Sequence, residues 1–319
     1  MDSLAYMAKQ WLYSTLVGGL VLLCLALPAF AADDFLTPLG PVAKTELSHL
    51  IRVTLITMIA IIPVLIGVPL ILWRYRRGGK NAVYQPEWTF STPLEIVMWG
   101  VPVAIICALG YWLWHATAKL DPYKPLGADP LQVQVVGLDW KWLFIYPAQG
   151  VASVGELAIP VGRPVALRLT SDTVMQSLMI PALAGQIYAM PGMETKLNFR
   201  ADRTGSALGQ NMQYNGAGFA KQKFTLRALT AADWNAWMNR ARKSSRALDT
   251  ASYARLAQRG SLADARAALA PGQRGGPLLF SPASSDLFKQ IVQRYHQGTP
   301  VTAVQQPGAP AYRPGAAHD

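Results

Sequence analysis

Hydrophobic and polar positions divide the chain into blocks of distinct texture. Residues 11–32, WLYSTLVGGLVLLCLALPAFAA, carry no charge, and their dense core runs from Leu16 to Leu27. That core has the length of a signal-peptide apolar region and is short for a membrane span. Lys9 precedes it, and Ala29-Phe30-Ala31 supplies the small-x-small pattern of a cleavage site. The block reads as an export signal over residues 1–31, the other reading being a retained helix. Val53 to Trp73 then gives 21 residues without a charge, and Ile96 to Trp114 gives 19 more. At 1.5 Å per residue the first run covers about 30 Å, the hydrocarbon thickness of a bilayer. The two runs predict membrane helices over about 48–74 and 94–117, a hairpin within 45–119. Pro63 and Pro69 are tolerated in such helices, and Tyr111, Trp112 and Trp114 suit a membrane interface.

From Leu131 the texture changes to short β-rich runs separated by Gly and Pro: LQVQVVGLDWKWLFIYP, ELAIP, PVALRLT, VMQSLMI, QIYAM, ETKLNF and QKFTLRAL. About a hundred residues of this kind predict an all-β Greek-key sandwich over 121–229. After Thr230 helical signals take over. Thr230-x-x-Asp233 and Ser261-x-x-Asp264 have the spacing of capping boxes, each opening an Ala/Arg-rich helix, and SSDLFKQIVQRYH predicts a third. The region 230–296 is therefore expected to be a helical, aromatic-rich extension, and the Gly/Pro/Ala/Gln-rich tail 297–319 to be disordered.

Composition and charge narrow the function classes. Among 319 residues, 51% are hydrophobic and 15% charged, with a formal net charge of +11. A basic chain suits nucleic acid, an anionic membrane or an acidic partner, but no nucleic-acid motif accompanies the charge. Cys24 and Cys107 both lie inside apolar runs, so no disulfide framework forms. Cys24 follows Leu-Leu rather than a small residue, which argues against lipid attachment there. The linker between the two apolar runs holds Arg74, Arg76, Arg77 and Lys80. Positive charge stays cytoplasmic, so everything after about Lys119 is expected outside, in the periplasm of a Gram-negative cell.

The stretch GQNMQYNGAGFAKQKF, Gly209 to Phe224, has the look of a metal loop on a β-domain without a single Cys, His or carboxylate. Its setting resembles subunit II of the heme-copper respiratory oxidases, which has two membrane helices and an outward cupredoxin-like sandwich. DWKWLFIYP resembles that family's aromatic strand, and TVMQSLMIPALAGQIYAMPGMETKLNF the stretch that carries its first copper ligand. The resemblance covers roughly residues 45–296. In the copper-bearing members the loop reads Cys-x-x-x-Cys-x-x-x-His-x-x-Met, with a second His on the earlier strand. Matched position by position, the strand His is Gln176 here and the two Cys are Asn211 and Asn215. The loop His is Phe219, the Met is Gln222, and Gln213 stands where the family has a glutamate. Soft thiolate and imidazole ligands are what electron-shuttling copper requires, and all are replaced.

That loss is itself similar to the ubiquinol oxidases of the cytochrome bo type, whose donor is a membrane-soluble quinol. The resemblance implies a copper-free subunit capping subunit I, with heme and copper in subunit I and ubiquinol oxidised by the complex. Membrane lipid and the other oxidase subunits are the implied partners, cytochrome c is not, and no catalytic residue lies on this chain. Charge agrees: between Asp121 and Thr230 ten Lys or Arg face seven Asp or Glu, a poor receptor for a basic cytochrome. The resemblance marks Glu95, at the start of the second apolar run, as a proton-entry candidate; the plain reading is an interfacial helix-start carboxylate. It also marks Asp139, Trp140 and Trp142 as subunit-interface candidates, against ordinary aromatic packing. Two other readings stay open: a cytochrome c oxidase subunit with an altered relay, and a membrane-tethered periplasmic scaffold.

Overall fold

The structure is a computed structural model and describes residues 33–76, 87, 89–284 and 286–296. The expected signal, the tail and most of the basic linker lie outside the described residues. A short helix α1 (Asp33–Leu36) leads into two long ones, α2 (Pro41–Arg74) and α3 (Thr92–Lys119). Both long helices are long and apolar enough to cross a membrane. Pro63, Pro69 and Pro102 lie inside them without ending them. Leu65, Leu72, Ile106 and Trp114 point outward, as lipid rather than a protein core would require.

Both helices run further than hydropathy predicts, α2 starting at Pro41 and α3 reaching Lys119. The extra turns of α2 are not apolar because they leave the bilayer zone and pack on the β-domain. Ala43 is wholly buried there, and a Cβ on Gly40 would lie 2.0 Å from the Arg200 carbonyl oxygen. Pro41 suits the start, since its missing N–H falls among those a helix leaves unpaired anyway.

Among the described residues eleven strands follow: β1 (Leu131–Leu138), β2 (Lys141–Tyr146), β3 (Val151–Val154), β4 (Glu156–Pro160), β5 (Pro164–Ser171), β6 (Gln176–Ile180), β7 (Ala184–Ala189), β8 (Thr195–Arg200), β9 (Gly205–Asn211), β10 (Lys223–Leu229) and β11 (Leu278–Phe280). They form two packed sheets, one ordered β11-β3-β2-β1-β5-β8 and the other β4-β10-β9-β6-β7. The pairs β1/β5 and β4/β10 are parallel and the rest antiparallel, the mixed crossover pattern of a cupredoxin-like sandwich.

The run LQVQVVGLDWKWLFIYP is two strands, paired from Leu138 opposite Lys141. Almost every residue of β1 and β2 is buried, with no alternation. That pattern belongs to strands covered on both faces. One face, with Val135, Trp142, Phe144 and Tyr146, meets the other sheet in the main core. The opposite face, with Val136, Leu138, Leu143 and Ile145, meets a second core built by the C-terminal extension. Each fully buried Leu, Ile or Phe contributes about 1.5–3 kcal/mol, so the second core is a large part of the stability.

The extension differs from an all-helical expectation. It contains α4 (Ala231–Arg242), α5 (Thr250–Ala257), α6 (Leu262–Leu269) and α7 (Leu287–Arg294), but also β11, which extends the six-stranded sheet. Three apolar residues are too few to separate from a helix by pattern, which is why β11 is invisible beforehand. The reciprocal capping box forms at Ser261–Asp264, while Thr230 caps α4 from one side by accepting from the Asp233 N–H. Asp249 caps α5 in the same way, accepting from Ser252 N–H, and gives that helix a start signal the sequence reading passed over.

Candidate functional site

The stretch from Gly209 to Phe224 is only partly a loop. Gly209 to Asn211 complete β9, Phe219 to Lys221 form a single 3₁₀ turn, and β10 starts at Lys223. A Cβ on Gly209 would sit 2.0 Å from the Phe224 ring, so glycine lets the two strands pair. β6 lies beside β9, with Leu178 opposite Asn211, and brings Gln176 to the same end of the sheet.

Four of the six sequence-matched positions meet there. Gln222 is fully buried, and its Oε1 accepts from Asn211 Nδ2 at 3.0 Å and Asn215 Nδ2 at 2.7 Å. Its Nε2 donates to Gln176 Oε1 and, at 3.1 Å, to the carbonyl of Leu138. Gln176 Nε2 donates to Thr173 Oγ1 at 3.1 Å and also reaches the Leu138 carbonyl at 3.3 Å. Asn211 Oδ1 accepts the backbone N–H groups of Ser177 and Gln213, at 2.9 and 3.0 Å. Amides thus join β6, β9, the loop and the end of β1. Gly137 makes room, since a Cβ there would meet Gln176 Oε1 at 2.5 Å. Gly137 and Thr173 carry no motif and were not anticipated.

Phe219 and Gln213 stand outside the network. Phe219 is half-buried and packs on Tyr214, ring centroids 5.8 Å apart. Gln213 takes part through its backbone alone among the described contacts, its carbonyl accepting from Asn211 Nδ2 at 2.7 Å.

The donor set does not fit copper. It holds carboxamides and a phenyl ring, with no thiolate, imidazole or thioether aimed inward, and the carboxamide groups bind one another. Among the described residues no group of three or more His, Cys, Asp or Glu could hold a metal ion.

The three candidates on the β1–β2 hairpin separate. Trp142 is wholly buried in the main core against Phe224, ring centroids 6.4 Å apart, which leaves it no surface for a partner. Asp139 is nearly buried and accepts from Arg259 Nε at 3.0 Å. Trp140 occupies the hairpin tip with φ +67, a left-handed conformation that costs a bulky residue roughly 1–3 kcal/mol. Its indole N–H donates to the Asn215 carbonyl at 3.3 Å, Arg259 lies over the ring at 5.9 Å, and Gly218 passes directly against it. The strained tip is held by the loop it touches. Glu95 sits in the first turn of α3 and accepts from Trp99 Nε1 at 3.0 Å, half-buried and far along the chain from the network.

Two buried charges clasp the extension to the sandwich, and no motif marks either of them. Lys141 Nζ donates to the carbonyls of Asp139 at 3.0 Å and of Gln258 and Gly260 at 2.8 Å. Burial pulls its pKa down to about 8, against the opposing pull of Asp139 and Asp264. Asp172 has no exposed surface. Its carboxylate accepts from Tyr253 Oη, from Tyr295 Oη at 3.3 Å and from Arg294 at 2.9 Å. Burial raises its pKa to about 7 even though Arg294 and both phenols favour the ionised form.

Comparison with known proteins gives the relatives of the chain. A family model described as cytochrome c oxidase subunit II, periplasmic domain, matches residues 148–228. The chain is 41% identical over 285 residues to cytochrome bo(3) ubiquinol oxidase subunit 2 of Pseudomonas putida, covering 89% of this chain and 87% of that one. It is 40% identical over 270 residues to ubiquinol oxidase subunit 2 of Acetobacter aceti, covering 83% of each. A solved periplasmic domain of subunit II of cytochrome oxidase from Bradyrhizobium japonicum matches with TM-score 0.35 and 24% identity, over 38% of this chain and 97% of that one.

Proposed function

The chain belongs to the ubiquinol oxidase subunit 2 family, and from that premise we propose what its parts do in the complex. It is subunit II of a quinol oxidase, part of a heme-copper oxidoreductase of the aerobic respiratory chain. The amide network at the copper-ligand positions carries the reading of its role. A quinol delivers electrons from within the membrane, so no relay above the membrane is required. Carboxamides then do structurally what a metal would do, tying β6, β9 and the loop together.

Both apolar helices cross the inner membrane, and the sandwich with its extension stands in the periplasm as a cap on subunit I. Heme and copper belong to subunit I, while this chain contributes the anchor and the cap. Asp139 and Trp140, at the strained hairpin tip beside the network, are the interface residues; Trp142 supports them from inside. Glu95, held by Trp99 at the start of α3, is a proton entry. Residues 1–31 are an export signal, and the working boundaries are 45–119 for the hairpin, 121–229 for the sandwich and 230–296 for the extension.

Oxygen uptake by the purified complex decides between donors. Rapid uptake with ubiquinol and none with reduced cytochrome c is expected. Uptake with cytochrome c, together with two extra coppers per complex and near-infrared absorbance, would return the chain to the copper-relay class.

A further inference from the structure

The basic charge of the chain gathers in its extension. Residues 230–296 hold ten Lys or Arg against four Asp or Glu, a net +6 out of the +11 of the whole chain. Arg259 and Arg294 are used inside the fold, on Asp139 and Asp172. Among the described residues no carboxylate pairs with the other cations of the extension. Five of these come together. Arg242 and Lys243 are exposed at the end of α4, Arg246 follows them, Arg266 lies on α6, and Arg274 is exposed in the connection to β11.

The cluster is built rather than loose. Arg246 Nη2 donates to Gln273 Oε1 at 3.0 Å and Arg266 Nη2 to the Gly276 carbonyl at 2.6 Å, so both arginines converge on the loop from Pro271 to Pro277. Gln273 Nε2 donates in turn to the carbonyls of Gly275 and Pro277, at 2.8 and 2.9 Å. The segment that carries Arg246 is tied to β11 and its end: the Arg246 carbonyl accepts from Ser281 N–H at 2.7 Å, and Ser244 Oγ donates to the Leu279 carbonyl at 2.6 Å. The Nε groups of Arg246 and Arg266 are buried without an acceptor. The helix dipole accounts for Arg242 and Lys243 at the end of α4. It does not account for cations from separate elements gathered around one loop, where their mutual repulsion opposes folding. β11 and β8 are opposite edges of the six-stranded sheet, and α2 packs beside β8, so the hairpin does not cover this ridge.

We propose that this ridge docks an acidic face of another protein in the periplasm, its carboxylates seated on Arg242, Arg246, Arg266 and Arg274. Charge complementarity supplies the attraction, and guanidinium forks take carboxylates two bonds at a time. Composition favours a protein over a lipid surface. Of the five cations only Lys243 is a lysine, and protein interfaces are enriched in Arg and depleted in Lys. A segment that lies on a membrane also presents large apolar side chains to the acyl boundary. No large hydrophobic residue of the described extension is exposed. Without an apolar centre the contact is sensitive to salt and gains more in association rate than in lifetime. The inference rests on the periplasmic placement proposed above.

Benzoylphenylalanine placed at Gly275, where an added Cβ meets nothing within 4 Å, would be photoactivated in membranes holding the full complex. The peptide crosslinked to it, sequenced by mass spectrometry, is expected to be rich in Asp and Glu. Its yield should fall at least tenfold in Arg242→Glu/Arg274→Glu and at high salt. It should change less than twofold in Lys196→Glu/Lys223→Glu, which alters the net charge equally on the sandwich. Arg242 and Arg274 are exposed and have no side-chain partner among the described residues, so their reversal leaves the fold intact. With the purified complex, a fluorescent Glu-rich peptide should lose affinity in the same variant, while phosphatidylglycerol vesicles should bind the wild type and both variants alike. The proposal is overturned if the crosslink falls on lipid, on a peptide without excess acid or on nothing, or if its yield ignores the charge reversal. Vesicle affinity lost selectively in Arg242→Glu/Arg274→Glu would also overturn it, in favour of an anionic bilayer. Placement is tested apart, because Gly275→Cys in intact spheroplasts should react with a membrane-impermeant maleimide. Failure to react overturns the periplasmic reading, whereas reaction without an acidic crosslink overturns the docking ridge alone.

Discussion

Gln222 is the residue on which the candidate site turns. Its carboxamide bonds Gln176, Asn211, Asn215 and the Leu138 carbonyl at once, with no exposed surface of its own. Gln222→Ala would take the partner from Gln176 Oε1 and Asn215 Nδ2, each costing about 1–3 kcal/mol when left unsatisfied, while Asn211 keeps its bond to the Gln213 carbonyl. Thermal melting of the purified complex should therefore show a loss of at least about 2 kcal/mol, with ubiquinol oxidation retained where the complex assembles. Gln222→Met would restore a single thioether and still bind no copper, because no thiolate or imidazole joins it; near-infrared absorbance after copper addition checks this. The identities of these amides were plain in the sequence, because carboxamides stand at four of the positions that the resemblance matches to ligands. Their mutual bonding was not, because it depends on β6 lying beside β9 and on the space left at Gly137, neither of which spacing encodes.

At the scale of elements, the two apolar helices and most strands were legible, because length and β-branched content dominate there. In β2 the apolar run Trp142–Tyr146 has the texture of a strand covered on both faces, whereas Gln132 and Gln134 hide the same property in β1. β3, β9 and β11 lie outside the predicted runs, β9 because Gly205, Gly209 and polar residues mask it and β3 and β11 because they are short. The β1–β2 hairpin depends on Gly218, whose Cβ would fall 2.0 Å from the Trp140 ring. Gly218→Ala should expel the indole from the loop and cost about 1–3 kcal/mol, read as a changed Trp140 environment and a lowered melting temperature. The attachment of α7 depends on pH through Asp172. Its carboxyl has a folded pKa of about 7 against an ordinary value of 3.8. Folding therefore favours the protonated form: that contribution is fully present below about pH 4 and is lost as pH rises through 7. Limited proteolysis of the segment after Asp286 should be slower at pH 5.5 than at pH 8. Asp172→Asn should flatten the difference, and Lys141, with a depressed pKa of about 8, adds the opposite trend only above that pH.

The whole molecule is a sandwich finished by its own C-terminal extension. Residues Val136, Leu138, Leu143, Ile145 and Val154 face outward from the β-domain and are covered by Tyr253, Leu256, Phe280, Phe288 and Ile291. Trp237 closes the main core from α4, its indole donating to Glu156 Oε1 at 2.6 Å. β11 also covers the free edge of β3, which would otherwise offer unpaired backbone to other chains. The extension is thus part of the fold, and the aromatic residues that marked it in the sequence are its packing surface. A chain ending at Leu229 would expose a contiguous apolar sheet face and an open edge, the conditions for aggregation rather than partial function. Such a truncation should fail to accumulate in the membrane with the rest of the complex, and quinol-dependent oxygen uptake should fall with it. Normal accumulation and uptake would show instead that the sandwich stands alone and that the extension serves some separate contact. A milder lesion separates these cases: Arg294→Ala leaves the apolar cover intact but deprives buried Asp172 of its cation. At pH 8 it should cost only about 1–2 kcal/mol, because Asp172, with a pKa of about 7, escapes the penalty of a stranded buried charge by taking up a proton. The defect should ease as pH falls and Asp172 takes up a proton.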